Sequence, residues 1–305
     1  MKTEDILRIA IEKLEKLPGH EFDLLTISKP ISPNAAINLS KVISKLSPLL
    51  GNLIEFNITE FLNDQEEFQD QGEWKRQDPG FPDTIFQGTV TPIPGFEIKT
   101  WFPLATEITA RFKDSQNHFK YDNTYVVLLP WLPSHLIYGK PYILDICTIS
   151  ACSIAKARDR HYHNPPDYLV LEPEDTQKRT RNLQQTNTNG YKWQGTLSQF
   201  QEAQKIVDSW GDNGKNYQPT REYQQQLRQL LNLFPYRLDT NFAKIDRIVH
   251  PEIENFKQKI LGMTIHDMSI REWIKLLSNK NTENIKLIFK EKLFIEDTKA
   301  DDIIL

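Results

Sequence analysis

A chain of 305 residues can form one large domain or two modest ones, each with a substantial core. Its composition, 39% apolar and 26% charged with no apolar run near the eighteen or so residues that span a bilayer, predicts a soluble globular protein with no membrane partner. The net charge of −4 argues against a nonspecific DNA coat but leaves room for a local basic cleft, and two cysteines, Cys147 and Cys152, suggest neither a disulfide framework nor a zinc site, so the expected location is cytoplasmic.

Residues 3–17 read as an amphipathic helix carrying Ile6, Ile9, Ala10, Leu14 and Leu17 on one stripe. Charged residues interrupt that stripe, so it is not a secretory signal. A second helical region follows Asn34. Ser47-Pro48 then predicts an N-cap with proline at the first helical position. The helix it opens covers 48–63, with Leu50, Leu53, Ile54, Ile58, Phe61 and Leu62 facing a core. Asp64 to Asp78 is highly charged and is expected to be a surface loop.

Two strands are predicted at 82–88 and 95–101, separated by the turn-rich Thr91-Pro92-Ile93-Pro94-Gly95. Thr124 to Trp131 is almost continuously apolar, as in a central strand covered on both faces. Further strands are expected at 142–146 and 168–171, with a helix at 150–160 between them. From Glu174 to Gln194 aliphatic residues thin out. Helices are then predicted at 197–209, 220–233, 241–260, 268–278 and 283–292. The fold class is α/β: a mixed β-sheet flanked by helices, with a helical C-terminal region. The expected organisation is an N-terminal helix and linker at 1–36, a core at 37–196 and the helical region at 197–305.

The chemistry concentrates in the predicted strand pair. Glu97 and Lys99 are two apart, so on a strand they share a face while Ile98 points away. With Asp83 brought alongside, two carboxylates facing one lysine can hold a hard cation such as Mg²⁺ and polarise water beside a phosphate. Acid-x-Lys triplets also occur at Glu73-Trp74-Lys75 and Asp297-Thr298-Lys299. Only Glu97 has a Pro-Asp pair at a suitable distance upstream and β-prone neighbours on both sides.

Pro82-Asp83 followed by Glu97-Ile98-Lys99 resembles the PD-(D/E)xK nuclease superfamily, and within it the type II restriction endonucleases. The motif covers residues 82–99, and the predicted elements from about 37 to 172 fit that superfamily's core. The resemblance implies a restriction-endonuclease-like sheet, Mg²⁺ as cofactor, Asp83 and Glu97 as metal ligands, and Lys99 as the catalytic lysine. It also makes Glu55, on the preceding helix, a further metal candidate; a solvated acid on the helix flank is the alternative. The implied reaction is hydrolysis of double-stranded DNA at a short sequence, leaving 5′-phosphate and 3′-hydroxyl ends. A homodimer matching a two-fold symmetric site is implied too, with a companion DNA methyltransferase in the host.

Arginine suits guanine, and Asn or Gln suits adenine, in the major groove. The 178–194 stretch supplies Lys178, Arg179, Arg181, Gln184, Gln185, Asn187, Asn189 and Lys192 as candidate DNA-binding residues. A merely polar surface loop has the same composition. His161 and His163 lack the companions of a zinc site and read as a helix terminus beside Arg158 and Arg160. Glu107 and Arg111 are spaced for an ion pair on a helix. Two other functions fit the residues: a structure-dependent repair or recombination nuclease, and a helical interaction protein without activity.

Overall fold

The structure is a computed structural model that describes residues 1–23, 25–77, 80–105, 107–161, 171–172, 191–193, 196–211, 221–238 and 243–297. The chain divides into two compact units. The first comprises Met1–Ile108, Asn123–Thr148 and Glu252–Leu305; the second comprises Thr109–Asp122 and Ile149–Pro251. No helix among the described residues is long and apolar enough to cross a membrane.

The first unit opens with α1 (Thr3–Leu14) and α2 (Pro33–Val42), the latter capped by Ser32, whose Oγ accepts the Ala35 N–H at 3.1 Å. Helix α3 (Ser47–Asn63) buries Leu50, Ile54, Ile58 and Leu62. It continues from a 3₁₀ turn, Ile43–Leu46, so Ser47 lies inside the helix and caps nothing, contrary to the sequence expectation. Strands β1 (Gly72–Arg76), β2 (Thr84–Gly88), β3 (Gly95–Trp101), β4 (Thr124–Pro133) and β5 (Pro141–Ile143) lie side by side in that order, and β6 (Cys147–Ser150) also pairs with β4. β3 and β4 run parallel; β1–β2, β2–β3 and β4–β5 are antiparallel. The sheet is therefore mixed, as expected, and β4 is the predicted central strand, buried along nearly its whole length. Trp74, Phe86 and Phe96 from three successive strands gather with ring centres 5.1 to 5.3 Å apart, beneath α3.

Several expectations need correction. The segment expected as a surface loop at 64–78 contains β1. Trp74 is buried between exposed Glu73 and exposed Lys75, an alternation of period two that its charges disguise. The strand expected at 142–146 is split into β5 and β6. The strand expected from Pro82 begins only at Thr84, since proline has no N–H to give a ladder.

In the second unit α4 (Ala151–His161) carries Arg158, which is buried, bonds Asp159 from Nε at 3.0 Å and donates to the Phe112 carbonyl at 3.3 Å. Its charge is thus spent internally. β7 (Leu171–Glu172), β8 (Tyr191–Trp193) and β9 (Tyr236–Leu238) form a small sheet. α5 (Leu197–Asp208) and α6 (Arg221–Leu233) pack through Ala203, Val207, Tyr223, Leu227, Leu230 and Phe234. The helix expected to join Glu107 to Arg111 is absent. That stretch is extended, with Arg111 bridged to Lys244, the Phe112 N–H on the Ala243 carbonyl and the Ile245 N–H on the Ala110 carbonyl.

The predicted helix 241–260 reduces to a 3₁₀ turn at Ile245–Arg247 and α7 (Pro251–Gly262), because Pro251 belongs at a helix start, not its interior. A hairpin, β10 (Thr264–Ile265) and β11 (Met268–Ser269), shortens the next helix to α8 (Ile270–Leu277). Its turn residues His266 and Asp267 both hold positive φ. α9 (Thr282–Leu293) follows and packs on α2. Of the strand expected at 168–171, only Leu171 is among the described residues, and His163 is not.

Candidate active site

Asp83, Glu97 and Lys99 all belong to the first unit, and the pairing of β2 with β3 brings them together. These strands share only two register positions, Thr84 with Phe96 and Ile85 with Gly95. β3 continues beside β4 as far as Trp101, so its other edge runs on without a strand partner in the sheet. Asp83, one residue before β2, fills that place. Its Oδ2 accepts the Ile98 N–H at 2.7 Å, and its own N–H donates to Glu97 Oε2 at 3.1 Å. These reciprocal bonds satisfy the backbone where the strands part and fix two carboxylates side by side.

Lys99 completes the group. Its Nζ donates to Asp83 Oδ2 at 3.2 Å and lies 2.5 Å from Glu97 Oε1. The Lys99, Glu97 and Asp83 side chains are 15%, 10% and 17% exposed. The same triplet at Glu73-Trp74-Lys75 also lies on a strand and also forms an ion pair, at 2.6 Å, yet its side chains are 58% and 48% exposed. The two triplets differ in burial and in the presence of Asp83, not in pattern. Asp297-Thr298-Lys299 runs outside the described residues after Asp297.

Burial acts to lower the Lys99 pKa, but the charges and hydrogen bonds of Glu97 and Asp83 outweigh it and hold the amine above its usual value. Lys99 is therefore an ammonium at neutral pH. It can donate hydrogen bonds and offset negative charge, and it cannot accept a proton.

Glu55 on α3 lies close enough for Asp83 and Lys99 to act on it. Burial raises its pKa and the Asp83 charge adds to this, while a bond from Arg76 and the charges of Arg76 and Lys99 pull the other way. The Arg76 Nε donates to Glu55 Oε1 at 2.7 Å. Glu55 is 14% exposed, so it is not the solvated flank acid that was the alternative. Arg76 was missed in the sequence because β1 was read as loop; the buried Trp74 between charged neighbours was the available signal.

Two further residues position the site. Gln77 donates its backbone N–H to the Asp83 carbonyl at 2.8 Å and its side-chain amide to the Pro82 carbonyl at 2.9 Å. At Gly95 an added Cβ would lie 2.4 Å from Pro82 Cγ and 3.1 Å from the Thr84 carbonyl oxygen. A proline ring cannot swing aside, so Gly95→Ala must push Pro82-Asp83 away from β3. If this site is catalytic, the displacement is expected to slow turnover about tenfold to a hundredfold while the fold survives. Single-turnover rates beside circular dichroism check this; a wild-type rate in folded protein removes Gly95 from the positioning role.

Among the described residues no group of three or more His, Cys, Asp or Glu side chains converges to hold a metal ion. The donor set nonetheless suits Mg²⁺, which commonly takes one or two carboxylates and completes its octahedron with water and phosphate oxygens. Asp83 and Glu97 are such a pair, with Glu55 nearby and the Lys99 ammonium between the two.

Of the candidate DNA-binding residues, Lys178, Arg179, Arg181, Gln184, Gln185, Asn187 and Asn189 lie outside the described residues. Lys192 is on β8, in the second unit. Compared with protein-family models, curated proteins and solved structures, the chain finds no significant match.

Proposed function

We propose that this protein is a Mg²⁺-dependent nuclease that hydrolyses phosphodiester bonds in double-stranded DNA at a short sequence, in the manner of a type II restriction endonuclease. The observation that carries the reading is the closed set of bonds among Asp83, Glu97 and Lys99 at the point where β2 leaves β3. A mixed sheet containing that point is compatible with a restriction-endonuclease-like core, which we include in the proposal.

Asp83 and Glu97 would hold the ion, with Glu55 as a further ligand. When bound, Mg²⁺ supplies positive charge for the transition state and lowers the pKa of coordinated water. Lys99, fixed between the carboxylates, would point its remaining donor hydrogens at the attacking water or a phosphate oxygen. Being charged, it stabilises the developing negative charge and leaves the water's proton to another acceptor. The 178–194 stretch would read bases, a homodimer would match a symmetric site, and the enzyme would work in the cytoplasm beside a companion methyltransferase.

Digestion of a sequenced supercoiled plasmid with Mg²⁺ tests the reading. Discrete fragments whose ends share one short sequence are expected, with 5′-phosphates. A smear or junction-dependent cutting would favour a structure-dependent nuclease instead. Intact plasmid at every divalent cation tried would overturn the nuclease reading.

A further inference from the structure

Arg76 is the cation of this region that the proposed reaction has not used. From β1 its Nε donates to Glu55 Oε1 at 2.7 Å, and its side chain is 29% exposed, twice as open as that of Glu55. Glu55, Asp83 and Glu97 are carboxylates of the site and its flank, and Lys99 and Arg76 are cations bonded to them. The ion's attraction for Glu55 competes with the guanidinium, whose planar donors match phosphate oxygens as well as a carboxylate.

We infer that Arg76 exchanges partners: it holds Glu55 while the site is empty, gives Glu55 up to the divalent cation, and then binds the scissile phosphate or its neighbour. This rests on the nuclease reading above and adds to it a residue that contacts substrate. In the empty protein Arg76 is a placeholder for the cation; in the loaded complex it is a phosphate clamp. No bond is made or broken in the exchange apart from hydrogen bonds and ion pairs.

The exchange makes two effects of one substitution run in opposite directions. Arg76→Gln removes the competitor for Glu55, so Mn²⁺ measured by calorimetry without DNA should bind about threefold to tenfold tighter. The same variant loses a charge-assisted contact to phosphate, so single-turnover cleavage of the plasmid should slow about tenfold to a hundredfold. In a Glu55→Gln background the loss of rate on removing Arg76 should persist, because it does not act through Glu55.

Weaker Mn²⁺ binding in Arg76→Gln, or a rate effect that disappears in the Glu55→Gln background, makes Arg76 a strut for Glu55 and overturns the inference. Arg76→Lys keeps the charge and carries the test should the glutamine variant fail to fold. Cleavage about tenfold slower with Mn²⁺ affinity within about twofold of wild type supports the exchange, and an unchanged rate overturns it. Wild-type protein that cuts plasmid while Arg76→Gln cuts equally well sinks this inference alone. Wild-type protein that cuts nothing sinks the nuclease reading and the exchange with it.

Discussion

Asp83→Ala and Glu97→Ala are each expected to reduce plasmid cleavage by roughly three powers of ten or more, the scale on which groups that stabilise transition-state charge act. Each alanine also removes structure, because Asp83 Oδ2 receives the Ile98 N–H and Glu97 Oε2 receives the Asp83 N–H. Losing a charge-assisted bond to a buried N–H costs about 1.5–3 kcal/mol. Asp83→Asn and Glu97→Gln separate the two effects. Their amide oxygens still accept those bonds, so circular dichroism and thermal midpoints should stay near wild type while cleavage is lost with the charge. Folded amide variants that cut at anything near the normal rate would remove both carboxylates from the chemistry.

Lys99→Met should be almost as severe for rate, with a loss of about a hundredfold to a thousandfold, and much milder for DNA affinity. Gel-shift binding in Ca²⁺, which supports binding without turnover, is expected to change only a few-fold. A binding loss large enough to explain the whole rate loss would make Lys99 a phosphate anchor only. The variant also leaves two buried carboxylates facing each other without their cation, a disruption worth about 3 kcal/mol in comparable buried pairs. Divalent cations should recover part of that stability, giving a larger rise in thermal midpoint with Mn²⁺ than wild type shows. The pH dependence has a definite sign. The folded pKa of Lys99 lies above its unfolded value, so its contribution is complete below an unfolded pKa of about 10.4 and is lost as pH climbs through the higher folded value. Alkaline unfolding should therefore separate wild type from Lys99→Met less and less as pH rises.

The elements with strong local signals were legible in the chain. α3 repeats apolar residues at helical spacing, and β4 is too continuously apolar to have a wet face. Glu97 and Lys99 could be placed on one strand because their alternation is local, and Pro82-Asp83 marked where a second carboxylate would come from. What stayed hidden depends on distant partners. β1 looked like a charged loop because only Trp74 touches the core, and its pairing with β2 cannot be read from residues 72–76 alone. With β1 went Arg76, and with it the state of Glu55. The Glu107–Arg111 stretch has helical spacing, but its backbone groups are satisfied by residues around Ala243, far along the chain. His266 and Asp267 sit in a hairpin turn that neither residue advertises as strongly as Asn-Gly would.

The discontinuous path of the first unit has a consequence for synthesis. α2 ends at Val42, whereas α9, which packs on it and buries Ile285, Phe289 and Leu293, begins only at Thr282. At about 5–20 residues per second a ribosome takes on the order of ten seconds or more to deliver the second after the first. Throughout that time α2 has emerged without the helix that will pack on it. α2 must therefore wait for this partner while the whole second unit is made. Removing α9 would not trim an appendage; it would withdraw the helix that packs on α2.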